Sequence, residues 1–132
     1  MSLIGDGNGG QSANNRGSVP LLSVTTVRHD DVVVVSVTGS LDALTAPHLD
    51  AAVHNAVATR PGGLIIDLTD TDFLASAGMS ALINAQHAAE EHGGSFAVVA
   101  DGPATSRPLT LVGLDRVFPI YPTLAGGLSA LT

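Results

Sequence analysis

The chain has 132 residues, of which 45% are hydrophobic and 13% charged, enough for one domain with its own core. Its 5 Lys+Arg against 12 Asp+Glu give a net charge of −7 with no basic run, which argues against nucleic acid or an anionic membrane surface as a partner. The absence of cysteine excludes a disulfide framework, a thiolate zinc site and a thiol redox switch, and no apolar run reaches the roughly 20 residues of a membrane-spanning helix.

Residues 1 to 18 include Gly5-Asp6-Gly7-Asn8-Gly9-Gly10 and have little apolar to bury, so the composition predicts a disordered tail followed by a domain over 19 to 132. The tail lacks the basic-then-apolar order of a signal peptide, and the expected location is cytoplasmic. Leu21 to Val27 alternates loosely, His29-Asp30-Asp31 reads as a turn, and the β-branched run Val32 to Val37 reads as a strand covered on both faces. After Gly39 and Asp42, apolar residues at helical spacing (Leu49, Ala52, Val53, Ala56, Val57) predict a helix over Ala43 to Ala58, stopped by Arg60-Pro61-Gly62-Gly63. Leu64 to Leu68 is a third strand, followed by a polar turn from Thr69 to Leu74. Ala77 to Glu91 is a helix ended by Gly93-Gly94, and Phe96 to Ala100 is a strand. A helix over Ala104 to Val112, a strand over Val117 to Ile120 and a helix over Thr123 to Leu131 complete the chain. Strand-helix-strand units with short connections predict an α/β domain around one mixed sheet, with about five strands and about four helices.

The most informative segment is the step from the third strand into the long helix, which places Ser76 at a helix start. Projected at about 100° per residue, Ser76, Ser80, Asn84, His87 and Glu91 form one polar stripe, while Gly78, Leu82, Ala85 and Ala89 face the sheet. Met79 and Ile83 fall nearer the polar stripe, where they would make an exposed apolar patch beside the serine. Two roles are open for Ser76. It can be the N-cap that satisfies the first-turn N–H groups. It can also be a modification site, because a phosphate there would meet those N–H groups and the positive end of the helix dipole.

Other chemistry is poorly supplied. Ala75-Ser76-Ala77-Gly78 lacks the leading glycine of a G-x-S-x-G nucleophile elbow, so acyl transfer is not supported, and no catalytic residues are assigned. His48 and His54 are six apart and His87 and His92 five apart, neither matching the spacing of helical metal ligands. Asp67, Asp70 and Asp72 alternate like a calcium loop without its glycine and distal glutamate, and read as a turn built on Asx and Thr side chains. Pro61-Gly62-Gly63 and Asp101-Gly102-Pro103 lack the length and the lysine of a phosphate-binding loop. No metal or cofactor is expected.

Three segments together carry a resemblance. Val37-Thr38-Gly39-Ser40-Leu41-Asp42, continuing to Pro47-His48-Leu49, resembles the strand-to-helix segment of STAS domains, the family of bacterial anti-sigma factor antagonists. Asp67-Leu68 through Phe73-Leu74-Ala75-Ser76-Ala77-Gly78-Met79 is similar to the family's phosphorylation loop. Pro103-Ala104-Thr105-Ser106-Arg107-Pro108-Leu109 with Gly113-Leu114-Asp115-Arg116-Val117-Phe118-Pro119-Ile120 is similar to its C-terminal third.

The resemblance implies a switch. In the family, the unphosphorylated antagonist binds an anti-sigma factor that is also a serine kinase of GHKL-type fold, so releasing a sigma factor for transcription. Phosphorylation of the loop serine separates the pair, and a metal-dependent phosphatase of PP2C type resets it. Carried onto this chain, the phosphoacceptor is Ser76, and the partner-binding residues are Asp42, Asp72, Ala75, Ser76, Ala77, Gly78, Met79, Ser80 and Ile83. Asp42 matches a family aspartate near the phosphoacceptor, beside the plainer role of capping the following helix. The chain departs from the pattern at Ala75, where many members carry Asp. That departure keeps a constitutive, unphosphorylated antagonist open, and a ligand- or nucleotide-sensing module on the same fold is the other alternative.

Overall fold

The computed structural model describes residues 22–132, and the expected tail over residues 1 to 18 and start of the domain at 19 lie outside the described residues. The elements run β1 (Leu22–His29), β2 (Val32–Leu41), α1 (Ala46–Ala58), β3 (Gly63–Asp67), β4 (Thr71–Leu74), α2 (Ser76–Glu91), β5 (Ser95–Val99), α3 (Ser106–Leu111), a 3-10 turn (Leu114–Arg116), β6 (Ile120–Tyr121) and α4 (Leu124–Leu131). The α/β expectation with four helices and a mixed sheet holds. The sheet has six strands rather than five.

Its hydrogen-bonded order is β1-β2-β3-β5-β6, with β1 antiparallel to β2 and the other pairs parallel. The β1-β2 hairpin turns at Asp30, whose φ of 54° is in the left-handed region that Asp tolerates. The valine run of β2 faces both ways. Val33, Val35 and Val37 enter the main core with Leu64, Ile66 and Val98 under the helices α1 and α2. Val32 and Val34 join Ile65, Ala97 and Val99 on the opposite face, where Leu124, Leu128 and Leu131 of α4 cover them. The unbroken apolar run thus reflects burial on both faces.

β2 is ten residues long and is shared. Val32 to Ser36 pair with β3, whereas Gly39 to Leu41 pair with β4, and the register shifts between Gly39 and Ser40. Gly39 has a φ of 105°, a conformation that costs a side-chain-bearing residue strain. The missed strand is β4, read from sequence as part of a polar turn. Its four residues show no alternation, with Thr71 and Leu74 buried and Asp72 and Phe73 exposed. Pairing with the far half of β2 makes it a strand, helped by the buried Thr71 hydroxyl donating to the Val37 carbonyl at 2.9 Å. The Asx expectation holds just before it, where Asp67 Oδ1 accepts from Thr69 N at 3.0 Å.

The expected strand over Val117 to Ile120 is displaced. Leu114–Arg116 form a 3-10 turn, Pro119 has no N–H to give a ladder, and pairing begins only with Val98↔Ile120 and Val99↔Tyr121. The helix expected from Ala43 starts at Ala46, and that expected over Ala104 to Val112 is confined to Ser106–Leu111. Among the described residues no helix is long and apolar enough to cross a membrane.

Candidate functional site

The carboxyl ends of β2 and β4 lie side by side, and two segments leave them. The first is the turn from Asp42 to Thr45. Asp42 Oδ1 accepts from Leu44 N at 3.0 Å and from Thr45 N at 3.1 Å, while Thr45 Oγ1 accepts from Asp42 N at 2.9 Å and donates to the Ser40 carbonyl at 2.7 Å. Asp42 is half-buried and Thr45 is buried. Asp42 therefore holds this turn. The N-cap of α1 is Thr45, so the expectation that Asp42 caps the helix is corrected by three residues.

The second segment is Ala75 and the first turn of α2. Ala75 N donates to the Leu41 carbonyl at 2.9 Å, which ties the start of α2 to the end of β2. Ala75, with extended dihedrals (φ −94°, ψ 171°), is the N-cap, and Ser76 is the first helical residue. The capping role open to Ser76 is thus not the one realised; the helix start carries no side-chain cap and no acid in its first turn. Met79 N takes the first helical bond, to the Ala75 carbonyl at 3.1 Å, so the N–H groups of Ser76, Ala77 and Gly78 precede the helical ladder. The Ser76 side chain is exposed.

Gly78 explains the small residues after the serine. A Cβ there would stand 2.7 Å from the Leu41 carbonyl oxygen, 2.8 Å from Leu41 Cγ and 2.9 Å from Leu74 Cδ1. The first turn of α2 rests directly on the two strand ends. Asp72 lies on the exposed side of β4 and accepts from Ser40 Oγ at 3.3 Å. Asp42, Asp72 and the Ala75-Ser76-Ala77-Gly78 run are therefore brought together at one end of the sheet, and Ser80 continues the exposed stripe along α2 with Asn84, His87 and Glu91.

Met79 and Ile83 do not form the exposed patch expected of them. Both are half-buried and pack against the main core. The apolar surface at this end comes instead from two residues the sequence reading passed over: Leu44, 76% exposed in the turn after β2, and Phe73, 54% exposed on β4 opposite Ser40. A lone leucine in a turn and a phenylalanine in an unrecognised strand give no periodic signal.

The histidines regroup. His54 and His92 share a groove of about 280 Å³ between α1 and α2, lined also by Asp50 and Glu91, whereas His48 faces elsewhere. Among the described residues no group of three or more His, Asp or Glu is placed to hold a metal ion. Gly62 and Gly63 both direct their N–H groups to the Asp31 carbonyl, at 2.8 and 3.3 Å, and so serve a turn.

Comparison with known proteins fits this geometry. The family model described as STAS domain matches residues 23–127. The chain is 38% identical over 112 residues to the anti-sigma-F factor antagonist RsfB of Mycobacterium tuberculosis, covering 83% of this chain and 89% of that protein. The crystal structure of an anti-sigma factor antagonist from Mycobacterium paratuberculosis superposes with a TM-score of 0.78 at 44% identity, covering 83% of this chain and 93% of the other. A crystal structure from Thermotoga maritima, at 22% identity and a TM-score of 0.72, covers 82% of this chain and 93% of the other and shares the fold.

Proposed function

Because this chain belongs to the STAS domain family, we propose that it is an anti-sigma factor antagonist that acts by binding and is switched off by phosphorylation at Ser76. The observation that carries this reading is the position of Ser76: exposed, first in a sixteen-residue helix, and at the end of the sheet where Leu44 and Phe73 are also exposed. The partner is an anti-sigma factor that is also a serine kinase of GHKL-type fold, and a PP2C-type phosphatase restores the binding form. Relatives named as anti-sigma factor antagonists support the partner class.

The switch acts on the surface rather than on the fold. A phosphate of about −1.5 to −2 charge at a helix N-terminus is favoured by the dipole and by the N–H groups of the first turn, so the domain stays folded. Against a close-fitting partner the same group adds bulk, a desolvation cost and repulsion from carboxylates nearby, Asp72 among them. Asp42, Asp72, Ala75, Ala77, Gly78, Met79, Ser80 and Ile83 complete the proposed interface around Ser76. Gly78 brings the helix down onto β2 and β4, and half-buried Met79 and Ile83 present their outer edges. Ala75 does not prevent phosphorylation, since a kinase brings its own base and magnesium.

The test is to mix the purified chain with ATP, magnesium and candidate anti-sigma kinases, then read intact mass and site by mass spectrometry. One added phosphate on Ser76, absent from Ser76→Ala, is the expected result. A kinase-fold partner that binds without phosphorylating points instead to a constitutive antagonist. Specific nucleotide binding that survives Ser76→Ala, with no kinase bound, points to a sensor.

A further inference from the structure

A second concave surface lies away from Ser76. Between β1 and α1 runs an open groove of about 590 Å³, within the roughly 300–1,000 Å³ of small-molecule sites. Arg28 Nη1 donates to Thr59 Oγ1 at 3.2 Å, pinning the last turn of the helix to the strand, with Leu22 and His48 lining the groove at the start of each element. At about 3.3 Å per strand residue and about 1.5 Å per helical residue, the trough is roughly 16–20 Å long. Its floor is Val24 and the buried Val33. Its helix wall is low because Ala52 and Ala56, one turn apart on α1, carry only methyl groups.

The groove's charge runs against that of the chain. Among the described residues that line it none is acidic, although the chain has 12 Asp+Glu to 5 Lys+Arg. Arg28 at its end spends three of its five N–H groups, on the Asp30 carbonyl at 3.1 Å, Thr59 Oγ1 at 3.2 Å and Asp31 Oδ1 at 3.2 Å. Among the described residues one N–H on each terminal nitrogen has no acceptor, and two such N–H groups can take the two oxygens of a carboxylate. Asp31 is not part of the lining, and with its side chain 73% exposed the ion pair is weakened by water. The exposed polar residues Thr26, His48 and Asn55 also line the groove, but Val24, Val33, Ala52 and Ala56 between its ends offer no side-chain group to bond a ribose hydroxyl. We propose that the β1–α1 groove binds a monomeric long-chain carboxylate, its apolar chain along Val24, Val33, Ala52 and Ala56 and its head on Arg28. This site is independent of the antagonist reading.

The test is calorimetry and methyl NMR on the full chain with dodecanoate and dodecanol, each below its aggregation concentration. The expected result is saturable binding of dodecanoate at one site, with shifts at the Val24, Val33, Ala52 and Ala56 methyls. Arg28→Gln should weaken dodecanoate about tenfold, the weight of a charge-assisted hydrogen bond, and leave dodecanol unaffected. Ala52→Phe, folded by circular dichroism, should block both. No saturable shift at these methyls, an equal effect of Arg28→Gln on both ligands, or binding only to phosphatidylglycerol vesicles would overturn the proposal. Nuclear Overhauser contacts from residues 1–21 to the Ala52 and Ala56 methyls in the free chain would overturn it too, by making the chain its own occupant.

Discussion

Gly78 lies so close to Leu41 that a methyl group on it would sit 2.7 Å from the Leu41 carbonyl oxygen. Neither side can give: the oxygen belongs to β2 and already accepts from Ala75 N. Helix propensity favours alanine over glycine by about 1 kcal/mol, yet overpacking of this kind costs about 1–3 kcal/mol. Gly78→Ala is therefore expected to be net destabilising, seen as a lower midpoint in urea, and to lift the first turn of α2 off the strand ends. An unchanged or raised midpoint would show that the contact relaxes.

Ser76 carries the proposed switch, and its variants separate charge from bulk. Ser76→Ala should keep partner affinity, because the side chain is exposed and the helix start has no side-chain cap to lose. Ser76→Glu should weaken the complex about tenfold or more, or about 1.4 kcal/mol, while leaving the melting temperature within a degree or two. A Glu variant that binds like the unmodified chain in a titration would refute blocking by charge.

Leu44 and Phe73 should be the apolar anchors of the interface. Phe73→Ser and Leu44→Ser are each expected to cost about 1–2 kcal/mol of partner affinity, as truncation of a central anchor does. Both side chains are already more than half exposed, so stability should shift by no more than about 0.5 kcal/mol. Paired affinity and denaturation measurements decide this: equal loss of both would return the two residues to a structural role.

The Thr71 hydroxyl is buried and donates to the Val37 carbonyl. Thr71→Val keeps the shape and removes the donor, which should cost about 1–3 kcal/mol by leaving that carbonyl short of a partner. Equilibrium unfolding measures the loss; a neutral result would mean that water reaches Val37.

α2 was open to sequence reasoning because its two faces obey a single period. Gly78, Leu82, Ala85 and Ala89 are buried and Ser76, Ser80, Asn84, His87 and Glu91 exposed, as the 100° projection requires. The valine run of β2 was equally readable, since only a strand covered on both faces needs it. β4 was not, because Thr71 and Leu74 are buried without alternating and the strand owes its existence to the far half of β2. Ala75 as N-cap was unreadable for a similar reason: the bond to Leu41, remote in sequence, sets where the helix begins. Leu44 and Phe73 carry no periodic signal in the sequence, and only their place at the strand ends shows them to be exposed.

The division of β2 between two partners means that the domain need not open as one piece. Val33 to Ser36 are locked between β1 and β3, whereas Gly39 is held by Leu22 of β1 and by β4, and Ser40 and Leu41, beyond a break in register, pair with the four-residue β4. Amide exchange should accordingly be slowest in the first half and faster in the second, with the strand ends under Ser76 detaching at lower free energy than global unfolding. If this end is the binding surface proposed above, its loosening while the sheet holds would let it be remade against a partner without putting the rest of the molecule at risk.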